Sequence, residues 1–196
     1  MRTGIYTLAA FCVAALVLGG CGTTPKSEEK KQDLAAASQR QQDAMVAKNP
    51  TLREEVDKAY GYAIFPKVGK GGLIAGGAYG RGVVYEQGRM IGYADLTQAT
   101  IGLQAGGQAY SELILFQNKE SLDRFKQNQV EITANASAVI VKSGAGASAK
   151  YENGVAIFIM PRGGAMAEAS VGGQKFTFVP SDEAGATTRP TTRTAS

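Results

Sequence analysis

The chain has 196 residues, of which 44% are hydrophobic and 19% charged, and its formal net charge is +4. It contains no histidine, and both cysteines lie near the N-terminus. A Ser-His-Asp triad, most kinds of zinc site and a disulfide-stapled fold are therefore excluded. The net charge is too small for the field of a typical nucleic-acid-binding domain, so no nucleic-acid partner is predicted.

The N-terminus is typical of a secretory signal in residues 1–20, with an early cation at Arg2 and an apolar run ending at Leu18. As a helix this run reaches only roughly 21 Å, short of the ~30 Å hydrocarbon core, so a spanning helix is the weaker interpretation. The segment Leu18-Gly19-Gly20-Cys21 resembles a bacterial lipobox, which predicts acylation of Cys21 by a fatty acid such as palmitate. An ordinary signal peptide is the alternative. Because Gly22 and not aspartate follows, we expect an outer-membrane lipoprotein facing the periplasm.

Residues 21–27 are predicted to be an acylated tether, and residues 28–49 a helical spacer that contains neither glycine nor proline. The apolar stripe of this helix is thin, which favours a solvated spacer over an amphipathic helix lying on lipid. Thr51 is the predicted N-cap of a second helix from Leu52 to about Ala59, with Glu54 completing a capping box.

The glycine-rich stretch that follows is predicted to form strands. Tyr62 to Phe65 is a strand ended by Pro66, and Leu73 to Glu86 alternates between a face of large residues and a nearly bare face. A helix would cost about 1 kcal/mol at each glycine relative to alanine. A bare strand face permits the close approach of a backbone, a helix or a ligand.

The rest of the chain predicts more strands and one amphipathic helix. The predicted elements are a turn at Gln87-Gly88, strands at Met90–Ala94, Thr100–Tyr110, Leu113–Phe116, Ala136–Val141, Val155–Met160, Ala165–Val171 and Phe176–Val179, and a helix at Asn118–Val130. The fold class is α+β, a twisted and mainly antiparallel β-sheet core with two or three packed helices. A faint repeat of Ala63-Ile64-Phe65 in Ala156-Ile157-Phe158 leaves open two interlocked α/β halves or a coincidence. Residues 50–180 form the predicted domain, and residues 181–196 a disordered tail.

Three motifs together resemble the SYLF domain, also called the Ysc84-type lipid-binding domain. They are the segment Ala63 to Lys67, the glycine-rich run to Tyr85, and the segment Gly102 to Gln108. The resemblance covers roughly residues 52–179. It implies a non-enzymatic domain that binds phospholipid, with actin binding added in some eukaryotic members.

A group of cations among the glycines forms the candidate binding site. Its members are Lys67, Lys70, Tyr79, Arg81 and Arg89. Arginine and lysine suit phosphate, and tyrosine suits the boundary between water and lipid. Solvated lysines at turns and tyrosines covering a sheet face are the alternative interpretation.

No phosphate-binding glycine loop, nucleophile elbow or dinucleotide fingerprint occurs in the sequence, so no catalytic residue, metal or cofactor is predicted. The predicted partners are membrane phospholipids, with any protein partner undetermined. A structural or protein-interaction module of the envelope, with contacts through an exposed strand edge, is the alternative function.

Overall fold

The computed structural model describes residues 27–72, 75–101, 108–132, 138–142, 148–162 and 173–181. Within these ranges the elements are α1 (Glu28–Lys48), α2 (Thr51–Lys58), β1 (Gly61–Gly72), β2 (Ala75–Glu86), β3 (Arg89–Ile101), β4 (Gln108–Phe116), α3 (Lys119–Lys126), β5 (Glu131–Ile132), β6 (Ala138–Ile140), β7 (Val155–Arg162) and β8 (Gln174–Pro180). No helix among the described residues is both long and apolar enough to cross a bilayer.

The strands form a single sheet in the order β5-β8-β3-β2-β1-β4-β7-β6. Every neighbouring pair is antiparallel except β6 and β7, which are parallel. The predicted α+β fold with a mainly antiparallel sheet is confirmed.

The sheet curls so strongly that distant strands meet across one face. The rings of Phe65 on β1 and Phe176 on β8 have their centroids 5.8 Å apart, although β2 and β3 lie between these strands. In a flat sheet three strand spacings would separate them by roughly 14 Å. The curl therefore creates an enclosed inner face and an outer face.

Each face carries its own apolar core. The inner-face core contains Phe65, Phe116 and Phe176 together with Leu122 and Phe125 of α3. The outer-face core contains Ile64, Leu113, Leu115 and Phe158 together with Met45 of α1 and Leu52 of α2. Leu113–Phe116 is buried on both faces, as its continuous apolar sequence predicts.

Helix α1 is present where predicted, but it packs on the sheet and is not a solvated spacer. Its buried residues are Ser38, Gln41, Gln42 and Met45. The Gln41 carboxamide oxygen accepts from the Arg162 guanidinium of β7, and Gln41 Nε2 lies 3.9 Å from Met160 Sδ. The sequence pattern missed this packing because the contacting side chains are mostly polar amides, which leave little apolar stripe.

The start of α2 differs from the predicted capping box. Thr51 is the first helical residue, and the preceding N-cap, Pro50, has no side-chain capping bond. The Thr51 hydroxyl instead donates to Asn49 Oδ1 at 2.6 Å. Because Thr51 lies inside the helix, it does not occupy the N-cap position from which a side chain accepts from the first helical N–H groups.

Strand β1 does not end at Pro66 but passes through it with a β-bulge. Phe65 and Pro66 together oppose Gly82, because Ile64 pairs with Val83 and Lys67 pairs with Arg81. Proline has no N–H to lose from the ladder, so a bulge tolerates it. The Ser111 hydroxyl donates to the Pro66 carbonyl at 2.8 Å. The extra residue shifts the alternation of side chains by one position, so each residue after the bulge points to the face opposite to the one it would otherwise have. Lys67 is therefore exposed, whereas Val68 and Lys70 point inward.

The faint repeat does not correspond to equivalent structural halves. Ile64 lies in the outer-face core, whereas Ile157 lies in the inner-face core. The predicted strand at Ala165–Val171, residues Leu73 and Ile74, the region around Cys21 and the C-terminal tail from residue 182 lie outside the described residues.

Side chains of β1 occupy the space over the nearly bare face of β2. A Cβ on Gly82 would lie 2.6 Å from the Ile64 carbonyl oxygen and 2.8 Å from Phe65 Cδ1, and one on Gly80 would lie 2.7 Å from Val68 Cγ2. These glycines therefore give the inner-face side chains of β1 the space that the curl requires.

We expect Gly82→Ala to destabilise the fold by about 1–3 kcal/mol, because the added methyl overlaps a backbone oxygen and an aromatic ring. Gly69→Ala is the matched control on β1, since nothing lies within 4 Å of the Cβ that it would add. Urea unfolding of both variants measures the difference. Equal stabilities would show that the bare face of β2 is not needed for packing.

Candidate lipid-contacting surface and buried polar cluster

Strand register gathers three of the predicted site residues on the outer face. Lys67 pairs with Arg81, and Gly69 pairs with Tyr79 in the next outward-facing row. Directly opposed residues share a face, so these side chains are neighbours. Lys67 is exposed, and Tyr79 is 42% exposed, a high value for a large hydrophobic residue.

Arg81 and Tyr79 are joined to a carboxylate on β3. Arg81 Nε donates to the Tyr79 hydroxyl at 2.9 Å, and that hydroxyl donates to Asp95 Oδ1 at 3.0 Å. Arg81 Nε also lies 3.6 Å from the same oxygen, and the guanidinium carbon is 5.9 Å from the centroid of the Tyr79 ring. The side chain of Arg81 is 36% exposed and that of Asp95 is 13% exposed, so water partly screens the attraction between them.

The surface beside these side chains is bare backbone. Nothing lies within 4 Å of the positions that a Cβ on Gly69 or Gly71 would occupy. We call Lys67, Gly69, Gly71, Tyr79 and Arg81 the outer patch. The base of this shallow surface is glycine backbone, and two cations and one phenol lie at its border. A flat or bulky anionic group can therefore approach it closely.

The other two predicted site residues lie elsewhere. Lys70 is buried on the inner face, where desolvation lowers the pKa of its ammonium group. Arg89 is exposed at the opposite end of the β2–β3 hairpin, next to the Gln87-Gly88 turn. Six residues of extended strand separate it from Asp95, a distance of roughly 20 Å.

A second polar cluster lies inside the curl. Gln174 Nε2 on β8 is 2.9 Å from Glu112 Oε2 and 3.2 Å from the Tyr110 hydroxyl, both on β4. These strands are four positions apart in the sheet, so the contacts span the enclosed face. The sequence alone favours a surface position for Glu112, as for Asp57 and Asp95, because nothing in it brings these carboxyl groups together. Its alternation with Ile114 and Phe116 was the signal that it points inward.

Burial controls the protonation of this cluster. Complete desolvation raises the pKa of Glu112 to about 8, opposed only partly by the Gln174 bond. Desolvation, with the nearby Glu112 as a smaller cause, also raises the pKa of Tyr110. Glu112 is therefore mainly a neutral acid at pH 7. Asp95 lies on the outer face, so these two carboxyl groups do not converge.

The fold and the two clusters define an α+β protein with a curled antiparallel sheet, a cationic and aromatic outer patch and a buried neutral acid. Residues 97–184, a little under half of the chain, match the family model Ysc84, described as "Las17-binding protein actin regulator". The chain is 32% identical over 130 residues to Beta cell expansion factor A of Aeromonas veronii, covering 65% of this chain. It spans 49% of that relative's length. The predicted resemblance to the Ysc84, or SYLF, family is thus confirmed over residues 97–184.

Glu112 makes stability depend on pH. The unfolded carboxyl ionises near pH 4.5 and the folded one near pH 8, so the unfolded state binds fewer protons between these values. The free energy of unfolding therefore falls as pH rises from about 4.5 to about 8, by a few kcal/mol at about 1.36 kcal/mol per unit.

We expect Glu112→Gln, which keeps the side-chain shape, to remove this fall and to be more stable than the wild type at pH 8. Thermal unfolding between pH 5 and pH 9 measures the difference. Glu54→Gln, at an exposed helix position, is the control and should retain the fall. Parallel profiles for wild type and Glu112→Gln would contradict the assignment.

Proposed function

We propose that the chain is a non-enzymatic phospholipid-binding protein of the bacterial cell envelope, whose outer patch contacts lipid headgroups. The observation that carries the proposal is the strand register, which collects Lys67, Tyr79 and Arg81 around the bare Gly69 and Gly71. The resemblance to the SYLF family, which implies lipid binding, supports this role.

The outer patch suits a phosphodiester in three ways. Lys67 offers a point charge and Arg81 a planar fork of donors. Tyr79 presents a ring and a hydroxyl at the level where a headgroup meets water. The phosphate competes with Asp95 for Arg81, whose side chain is 36% exposed and therefore accessible to an anion at the surface. Lys70 and Arg89 lie outside this patch and have no part in the proposed contact.

The membrane anchor in this proposal is an acylated Cys21 at the outer membrane. Each buried methylene of an acyl chain contributes about 0.8 kcal/mol, so more than one chain holds a protein firmly. Helix α1, which begins shortly after Cys21, packs on the outer face of the sheet. An anchor preceding α1 therefore favours the approach of the outer face to the lipid surface.

The alternative, a protein-interaction module that adds a partner strand, is less favoured by the described sheet edges. The Phe178 N–H at one edge is capped by Asn128 Oδ1 at 2.8 Å. The edge strands β5 and β6 have two and three residues. Short and capped edges resist strand addition.

The direct test is liposome flotation of a chain beginning at Ser27, without the anchor. We expect binding to vesicles containing anionic phospholipid, and a roughly tenfold to thirtyfold loss in Lys67→Gln/Arg81→Gln, since each cation near an anionic surface contributes about 1 kcal/mol. Lys58→Gln/Lys119→Gln has the same change of charge on the helices and should bind normally. If the wild type floats with neither anionic nor zwitterionic vesicles, the proposal is wrong.

Asp95→Asn extends this test in the opposite direction. The substitution removes the carboxylate that competes for Arg81, so the affinity for anionic vesicles should rise several-fold. Glu54→Gln gives the same charge change away from the patch and should have little effect. An equal rise in both variants would mean that binding follows net charge and not the outer patch.

Anchoring is tested separately in the full chain. We expect Cys21→Ser to abolish incorporation of labelled palmitate and to move the protein from the membrane to the soluble fraction. Cys12→Ser removes the other cysteine and should change neither result. Palmitate incorporation that survives in Cys21→Ser would contradict the lipoprotein assignment.

A further inference from the structure

The outward-facing row that contains Tyr79 and Gly69 continues across two more strands. Gly69 of β1 pairs with Ala109 of β4, and Ala109 pairs with Arg162 of β7. Directly opposed residues share a face, so Arg162 lies on the outer face, beyond the bare backbone of Gly69 and one alanine methyl group. Arg162 itself is exposed. The outer patch therefore has a further cation at its border, on the side opposite to Arg81.

Neutral oxygen atoms hold the guanidinium group of Arg162 in place. Its Nε donates to the Ser111 hydroxyl of β4 at 3.1 Å, and its Nη2 donates to the Gln41 carboxamide oxygen of α1. Within the part of the chain that the structure describes, Arg162 has no carboxylate partner, whereas Arg81 has Asp95. The two bonds use only some of the N–H groups of Arg162, so an oriented cationic donor remains for an anion.

One phosphate group cannot bond both arginines. The guanidinium group of Arg162 lies near β4, because it contacts Ser111, whereas that of Arg81 lies near Asp95 on β3. Two to three strand spacings, roughly 10–14 Å, therefore separate the two guanidinium groups. A hydrogen bond from arginine to a phosphate oxygen is only about 2.8 Å long. An anion at Arg162 is therefore a second phosphate, and Lys67 on the intervening strand β1 lies between the two positions.

We infer that Arg162 binds a second phosphate at the outer patch, and that the patch selects a lipid whose headgroup carries two phosphate groups. This inference rests on the proposed headgroup contact and names the class of lipid. Phosphates that lie between the two guanidinium groups, each bonded to its own arginine, are close enough for one short linker. The exposed Gly69 and the small Ala109 leave the space for that linker open.

A single lipid that contacts both arginines binds more tightly than two separate lipids, because the second contact is then intramolecular. Diphosphatidylglycerol has this chemistry, since one glycerol joins its two phosphate groups. Phosphatidylglycerol carries one phosphate in each molecule and is the matched comparison.

The test measures binding of the full chain carrying Cys21→Ser to phosphatidylcholine vesicles that contain one of these two lipids. Phosphatidylglycerol is used at twice the molar fraction, so that both vesicles present the same number of anionic phosphates. Contacts that depend only on charge are then equal, and the ratio of the two affinities reports the paired phosphates. We expect a preference for diphosphatidylglycerol of about fivefold, which is the contribution of one cation near an anionic surface.

Three variants make this result specific. Arg162→Gln should bring the ratio close to one. Arg89→Gln makes the same change at an exposed position outside the patch and should keep the wild-type ratio. Gln41→Met removes the bond from α1 but keeps the charge of Arg162 and its bond to Ser111, so it should also keep the preference. If Gln41→Met loses the preference as completely as Arg162→Gln does, Arg162 only ties α1 to the sheet, and the inference is wrong.

The same measurement separates this inference from the proposed function. If Lys67→Gln/Arg81→Gln weakens binding to both vesicles but a folded Arg162→Gln protein keeps the wild-type ratio, the headgroup contact stands and the second phosphate position is refuted. Equal affinity of the wild type for the two vesicles also refutes it. If Lys67→Gln/Arg81→Gln changes neither affinity, the proposed function fails, and this inference fails with it.

Discussion

The structure depends on the curl of its sheet, and the curl depends on glycines, which have no side chain. Gly80 and Gly82 leave the inner surface of β2 free for Val68 and Phe65, and Gly92 leaves space for the ring of Phe178. Only with these spaces filled can Phe176 of β8 reach Phe65 and Phe125. Glycine weakens a strand by its entropy, but close packing of aromatic rings on the opposite wall offsets that cost.

One bulge decides which cations of β1 meet the solvent. Without the extra residue at Pro66, alternation from Phe65 would turn Lys67 inward and Lys70 outward. With the bulge, Lys67 joins Arg81 and Tyr79 on the exposed face, and Lys70 joins the buried polar row. The Ser111 hydroxyl fixes the bulge by bonding the Pro66 carbonyl, and Arg162 Nε donates to that hydroxyl at 3.1 Å. This single bulge thus determines which lysine lies on the surface and which lies in the interior.

Sequence reasoning succeeded where the pattern is local and failed where partners are distant. Alternation alone places Tyr79 and Arg81 on the face opposite to the glycines, and the continuous apolar run at Leu113–Phe116 predicts burial on both sides. The bulge at Pro66 depends on pairing with β2 and β4, so no local signal separates Lys67 from Lys70. The packing of α1 and the burial of Glu112 likewise depend on β7 and β8, which are far away in the chain.

The two faces differ in how their polar groups are stabilised. On the outer patch Arg81 and Asp95 remain partly solvated, so their mutual attraction is screened and a new anion can take over the arginine. On the inner face Glu112 avoids the cost of a buried charge by remaining protonated, which turns a carboxylate into a hydrogen-bond donor. The outer patch therefore presents charge to the solvent, whereas the inner cluster keeps a protonated carboxyl group buried between strands that are far apart in the sheet.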